Sequence, residues 1–254
     1  MVWGANGKST FLKLVSSLLG DYAQTASFDT FLIQKNDNGT RNDIARMLGK
    51  RFISSIEGEQ GKRLAETLVK SLTGGDTITA RFLFAEFFDF QPTHKIWLAA
   101  NHKPNIKGTD RAIWRRIKLI PFNITIPDDR QDKHLEEKLR AELPGILAWA
   151  VRGCLEWQRI GLQTPDEIIK ATNFYRDEMD VIGNFLKDRC LISSDKAVKT
   201  PTSTLYEAYK DWCSTNNEFA LDNRRLGRSL SDRGYISSKS GGKNCWFGIG
   251  ILEK

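Results

Sequence analysis

Gly4-Ala5-Asn6-Gly7-Lys8-Ser9-Thr10 has the ending of a phosphate-binding loop: small residues, then Gly-Lys-Ser-Thr. In such a loop backbone N–H groups wrap phosphate oxygens, the lysine reaches the outer ones, and the hydroxyl that follows ligates magnesium. Lys8 and Ser9 take those roles here, and Gly4, Asn6, Gly7 and Thr10 complete the cradle. Phe11, Leu12, Leu14, Val15, Leu18 and Leu19 recur at helical spacing up to Gly20. The loop therefore opens a helix whose positive end faces the anion, and Gly20 is placed to stop it. The full motif has glycine where Val2 stands. A buried strand normally precedes such a loop, but only Met1, Val2 and Trp3 do so here. The expectation is a chain cut from a longer parent or completed by another segment, with weak nucleotide affinity on its own.

Arg51-Phe52-Ile53-Ser54-Ser55-Ile56 reads as a buried strand running into Glu57-Gly58-Glu59. Acids at the end of an apolar strand after a phosphate loop can hold the magnesium shell and orient or deprotonate water, with the two roles open between Glu57 and Glu59. The stripe Leu64, Ala65, Leu68, Val69, Leu72 predicts a helix over 62–72, ended by Thr73-Gly74-Gly75-Asp76. A strand-like run over 77–84 and the aromatic turn 85–92 suggest a projecting β-hairpin. Lys95-Ile96-Trp97-Leu98-Ala99-Ala100 is a second apolar strand, ending in Asn101, where an amide could sense a terminal phosphate. Arg111, Arg115 and Arg116 precede a further strand-like run through Phe122. Arginine suits bidentate phosphate contact and charge stabilisation in phosphoryl transfer.

Composition narrows the class. With 254 residues, the chain can bury one substantial core and a second small one. The balance of 38 Lys/Arg against 31 Asp/Glu, formally +7, favours a polyanionic partner. Cys154, Cys190, Cys213 and Cys245 are widely spaced, with no C-x-x-C and no clustered histidines, so reduced thiols are expected rather than a zinc site or disulfides. No apolar run reaches membrane-spanning length, and the expected location is cytoplasmic, away from membranes.

Taken in order, these blocks resemble the superfamily 3 helicase domain of phage and plasmid primases of the P4 type, related to the poxvirus D5 protein. The blocks are Gly-Ala-Asn-Gly-Lys-Ser-Thr, Arg-Phe-Ile-Ser-Ser-Ile-Glu-Gly-Glu, Leu-Thr-Gly-Gly-Asp-Thr-Ile-Thr-Ala-Arg, Trp-Leu-Ala-Ala-Asn-His-Lys-Pro and Gly-Thr-Asp-Arg-Ala-Ile-Trp-Arg-Arg-Ile-Lys-Leu-Ile-Pro-Phe. The resemblance covers roughly residues 1–160. It implies an α/β, AAA+-like P-loop ATPase core, ATP and Mg²⁺ as cofactors, a homo-hexameric ring and translocation on single-stranded DNA. It further implies a mobile element in a bacterial host cell and a primase partner encoded elsewhere. On this resemblance Lys8 and Ser9 match the Walker A positions and Glu57 and Glu59 the Walker B acids. Asn101 matches the sensor, and Arg116 or its neighbour Arg115 the finger that reaches the next subunit's ATP. The block from Asp76 to Lys95, including Arg81, takes the place of the DNA-contacting central hairpin.

Beyond Pro144 an apolar helix to Gly161 is expected to pack as a lid, and Thr164-Pro165-Asp166-Glu167 opens a connector helix within 161–195. From Lys196 onward there are ten Lys/Arg against six Asp/Glu. A helix from Ser203 comes first, then an Arg-rich helix with Arg224, Arg225 and Arg228, capped by Asn223. Two strands follow around a basic Gly-rich tip bearing Lys239 and Lys243. This is the layout of a winged helix able to bind duplex DNA over 196–254. Two other readings fit the same residues: a P-loop ATPase that remodels a protein, and a DNA-binding remnant that hydrolyses nothing.

Overall fold

The computed structural model describes residues 5–34, 41–56, 61–108 and 110–252. The chain divides into two compact units, Met1–Asn173 and Phe174–Lys254, the division falling inside the stretch read as a connector.

In the first unit, α1 (Lys8–Leu19) is followed by β1 (Ala23–Thr25), α2 (Asn42–Ala45), β2 (Phe52–Ile56) and α3 (Glu66–Gly74). Next come β3 (Ile78–Ala80), β4 (Phe88–Phe90), β5 (Lys95–Ala99) and α4 (Arg111–Trp114). Three helices, α5 (Leu135–Ala141), α6 (Leu143–Ile160) and α7 (Asp166–Met179), complete the series, the last crossing into the second unit. β1, β2 and β5 form a parallel sheet with β2 in the middle, Ile53 facing Gln24 on one side and Ile96 on the other. Phe52, Ile53, Ser54 and Ser55 are all buried, as a parallel strand covered on both faces requires. Phe11 of α1 packs on Trp97 of β5 with ring centroids 5.4 Å apart, and Trp97 packs in turn on Phe52 at 5.9 Å. Gly20 ends α1 with φ +52, a conformation open to glycine.

β3 and β4 pair antiparallel, Ile78 opposite Phe90 and Ala80 opposite Phe88. The strand expected over 77–84 stops at Ala80, and Phe84 takes a left-handed φ of +61 at the turn. The helix expected from Lys62 begins only at Glu66. Residues 62–64 run extended instead, Leu64 N donating to Asn105 O at 3.0 Å and Asn105 N to Lys62 O at 2.8 Å. No strand forms over 117–122. α6, read as a lid, has none of its eighteen residues fully buried, with Leu143, Ile146 and Ala150 half-buried.

The second unit holds α8 (Val181–Arg189), β6 (Cys190–Ile192), β7 (Lys199–Pro201), α9 (Thr202–Thr215) and α10 (Asn223–Asp232). β8 (Ser237–Ser240), β9 (Lys243–Phe247) and β10 (Ile249–Ile251) end it. Its sheets run β7-β9-β8 and β10-β6, all antiparallel. Phe185, Leu205, Tyr209, Leu226, Leu230, Trp246 and Ile249 form its core. Phe185 meets the Tyr209 ring edge-on at 5.2 Å. Arg233 donates both guanidinium nitrogens to Asp180, which also caps α8 by accepting from Gly183 N at 2.9 Å. All four cysteines are free, and burial pushes the Cys190 thiol up to about 11. Among the described residues no helix is long and apolar enough to cross a membrane.

Candidate functional site

The chemistry gathers at the carboxyl end of the parallel sheet, where α/β folds characteristically bind ligands. α1 starts there, with Gly7 at its N-cap in a left-handed conformation, φ +83. No side chain caps this helix and its first turn carries no acid, so its leading N–H groups are available to an anion. Asn6 anchors the loop by donating from Nδ2 to Phe122 O at 3.1 Å, and Ala5 O accepts from Ile126 N at 2.8 Å.

Lys8 Nζ donates to Asn101 Oδ1 at 3.2 Å, although 93 residues separate them. Asn101 stands just beyond the end of β5, and the register of β5 on β2 brings it to the helix start. Ser9 and Asn101 are exposed, and Lys8 and Thr10 are half-buried. An ammonium, an amide, leading helix N–H groups and a left-handed loop glycine suit a polyphosphate, and Ser9 adds a hydroxyl for a hard cation. Among the described residues there is no cluster of three His, Cys, Asp or Glu able to hold a metal by itself. Magnesium at phosphate sites needs only one or two protein oxygens beside the phosphates and water, so the donor set fits. Gly4, Glu57 and Glu59 lie outside the described residues.

The two candidate arginines behave differently. Arg116 turns back on its own helix, donating from Nη1 to Ala112 O at 2.6 Å, and its Nε is buried. Arg115 is exposed and, among the described residues, its guanidinium has no hydrogen bond or ion pair. They sit at the end of a segment held by α3. Glu66 Oε1 accepts from Lys107 N at 2.9 Å and Gly108 N at 3.0 Å. Lys70 Nζ reaches Asp110 Oδ2 at 2.8 Å, a hydrogen bond that holds the Asp110 carboxyl below the usual carboxylate range. Asp110 Oδ1 in turn caps α4 by accepting from Ile113 N at 3.0 Å. Trp114 Nε1 donates to Gly108 O at 2.8 Å. Glu66, Lys70 and Asp110 were not singled out from sequence. The i, i+4 spacing of Glu66 and Lys70 and the Asp before a short helix were the available signals.

At the hairpin tip the Arg81 guanidinium lies 4.7 Å above the Phe87 ring, while Phe84 is 98% exposed. In the second unit Arg224, Arg225, Arg228, Lys239 and Lys243 are all exposed. The cap of α10 is Asp222, not Asn223. Its carboxylate accepts from Arg225 N at 2.8 Å, and Asn223 is the first helical residue. The β8–β9 turn is Gly241-Gly242, both at positive φ, as a tight two-residue hairpin turn demands. Lys239 and Lys243 therefore lie on its strands rather than in its tip.

The fold is that of a mixed α/β protein with a parallel sheet. Residues 3–116 match the family described as Family of unknown function (DUF5906), and residues 177–242 the family described as Poxvirus D5 protein-like. Putative helicase 022R of Frog virus 3 (isolate Goorha) is 28% identical over 250 residues, covering 89% of this chain and 25% of its own length. Putative helicase L207/L206 of Acanthamoeba polyphaga mimivirus is 27% identical over 231 residues, covering 84% and 24%. Putative primase C962R of African swine fever virus (isolate Tick/Malawi/Lil 20-1/1983) is 22% identical over 232 residues, again covering 84% and 24%. The chain thus spans about a quarter of the length of these relatives. The apo structure of the NrS-1 C terminal region has a similar fold, with a TM-score of 0.52 at 8% identity over 98% of this chain and 64% of that one. Together these similarities support a relationship to D5-like viral helicases and primases.

Proposed function

We propose that the chain is the ATPase and DNA-binding portion of a D5-like, superfamily 3 replicative helicase that couples ATP hydrolysis to movement along DNA. The observation that carries this is the bond between Lys8 and Asn101, which joins the candidate phosphate loop to the candidate sensor at one end of the sheet. In this reading Lys8, Gly7 and the first N–H groups of α1 hold the phosphates, with Gly4, Asn6 and Thr10 shaping the loop. Asn101 orients the terminal phosphate and the attacking water, and Glu57 or Glu59 accepts that water's proton. Ser9 and Glu57 hold Mg²⁺, which neutralises charge on the phosphates when bound.

Arg115 is the better finger for a neighbouring subunit in a homo-hexamer, because Arg116 is committed to Ala112. The hairpin with Arg81 contacts single-stranded DNA. The second unit, read as a winged helix, contacts duplex through Arg224, Arg225, Arg228, Lys239 and Lys243. A primase partner fits the names of the relatives.

The test is ATP hydrolysis with and without single-stranded DNA at several protein concentrations. Rates that rise with DNA and concentration, and vanish in Lys8→Ala and Arg115→Ala, are expected. Hydrolysis indifferent to DNA would favour a protein-remodelling ATPase. DNA binding without hydrolysis would reduce the chain to a binding fragment.

A further inference from the structure

We propose that Glu66 is a positioning residue that, through α3, couples the β3–β4 hairpin to the segment carrying Arg115, so that contact at the hairpin changes hydrolysis. This rests on the nucleotide-site reading above.

α3 is a nine-residue rod, about 13 Å long at 1.5 Å per residue. It touches the arginine segment at three points along its length. At its start, the Glu66 carboxylate grips two consecutive backbone amides, Lys107 and Gly108. One turn on, Lys70 holds Asp110, the residue that caps α4. At its end, Arg116 Nη2 lies against Gly74, 3.2 Å from where a Cβ would stand. Immediately beyond, Gly75 turns the chain at φ +85 and β3 begins at Ile78.

One short helix is therefore clamped to the arginine segment and carries the hairpin at its tip. Pushing the hairpin moves α3, and α3 cannot move without the loop that positions α4. Only residues 75–77 separate α3 from β3, a link short enough to pass a displacement of the hairpin to the helix. The Glu66 grip is also sterically tight, since a Cβ on Gly108 would overlap Glu66 Oε2. This one contact can thus be broken from either partner.

The experiment uses the full chain and compares wild type, Glu66→Ala, Glu66→Gln and Gly108→Ala. For each, basal ATP hydrolysis, its stimulation by single-stranded oligonucleotide, oligonucleotide affinity and amide hydrogen exchange over 105–116 are measured. Glu66→Ala and Gly108→Ala should keep oligonucleotide affinity while the stimulated-to-basal ratio falls to about 1, whatever the basal rate. Exchange at 107–108 should rise in both. Glu66→Gln keeps an oxygen that can accept both amides, and should restore stimulation. A role confined to stability would instead lower basal and stimulated rates together.

If Glu66→Ala loosens exchange over 105–116 and is still stimulated like wild type, the coupling role is wrong and the proposed function stands. If wild type itself shows no stimulation, the proposed function fails and the coupling role falls with it. A Glu66→Ala chain that has lost the cooperative exchange pattern of β2 and β5 has unfolded, and Gly108→Ala then decides between the same outcomes.

Discussion

His94, at the entrance to β5, is 3% exposed, and neither of its ring nitrogens finds a partner among the described residues. Burial, aided by the neighbouring Lys95 charge, lowers its pKa to about 4, from 6.5. The folded chain therefore keeps this imidazole neutral where the unfolded chain protonates it. The stability involved is fully present above pH 6.5 and drains as the pH falls from there to about 4, below which both states carry the proton. Linkage puts the loss at about 2 kcal/mol by pH 5 and about 3 kcal/mol by pH 4. Replacing His94 with leucine removes the titration together with two buried, unsatisfied nitrogens. His94→Leu should therefore match or exceed wild type at pH 7.5 and surpass it by about 2 kcal/mol more at pH 5. Urea-dependent hydrogen exchange on peptides spanning β2 and β5 reads this part of the chain separately from the second unit. Carboxylates titrate in both proteins and cancel in the difference. Equal pH slopes in wild type and His94→Leu between pH 7.5 and 5 would refute the reasoning.

Three further outcomes are expected. Gly227→Ala in α10 places its Cβ 3.6 Å from Trp246, an ordinary contact, and gains helix propensity, so the second unit should gain about 0.5–1 kcal/mol in urea denaturation. Asp180→Ala leaves Arg233 half-buried without its partner and uncaps α8, and should cost the second unit about 3 kcal/mol, checked by the same titration. Arg228→Ala should weaken duplex binding evenly across sequences and lower the salt slope of affinity by about 1, read by fluorescence anisotropy over a range of salt; an unchanged slope would remove Arg228 from the interface.

β2 was legible because a strand buried on both faces is largely apolar, β5 because its half-buried residues still form an apolar run, and α1 because a glycine-led loop introduces a clean helical stripe. Leu64 misled for the opposite reason. It continues the spacing of Leu68 and Leu72, but its amide is taken by Asn105, and tertiary pairing overrides periodicity. The hairpin was visible and its edges were not, since Arg81–Phe87 carries strand-forming aromatics through a turn that only backbone angles reveal. Lys8 and Asn101 were chosen separately, and their meeting depends on a sheet register that no local pattern encodes. Arg115 and Arg116 are adjacent, so spacing could not separate them, yet neighbouring helical positions point about 100° apart. The stripe on α6 was plain, but an apolar stripe says nothing about what covers it.

That uncovered helix has a spectroscopic consequence. Trp149 and Trp157 are 67% and 53% exposed, while Trp114, Trp212 and Trp246 are buried and Trp97 is half-buried. Among the described tryptophans, these two indoles alone stand in water. A collisional quencher dissolved in the buffer reaches them first, and loses that access once another surface lies over α6. Among the described tryptophans, the emission open to a quencher thus gauges how much of one helix has been covered.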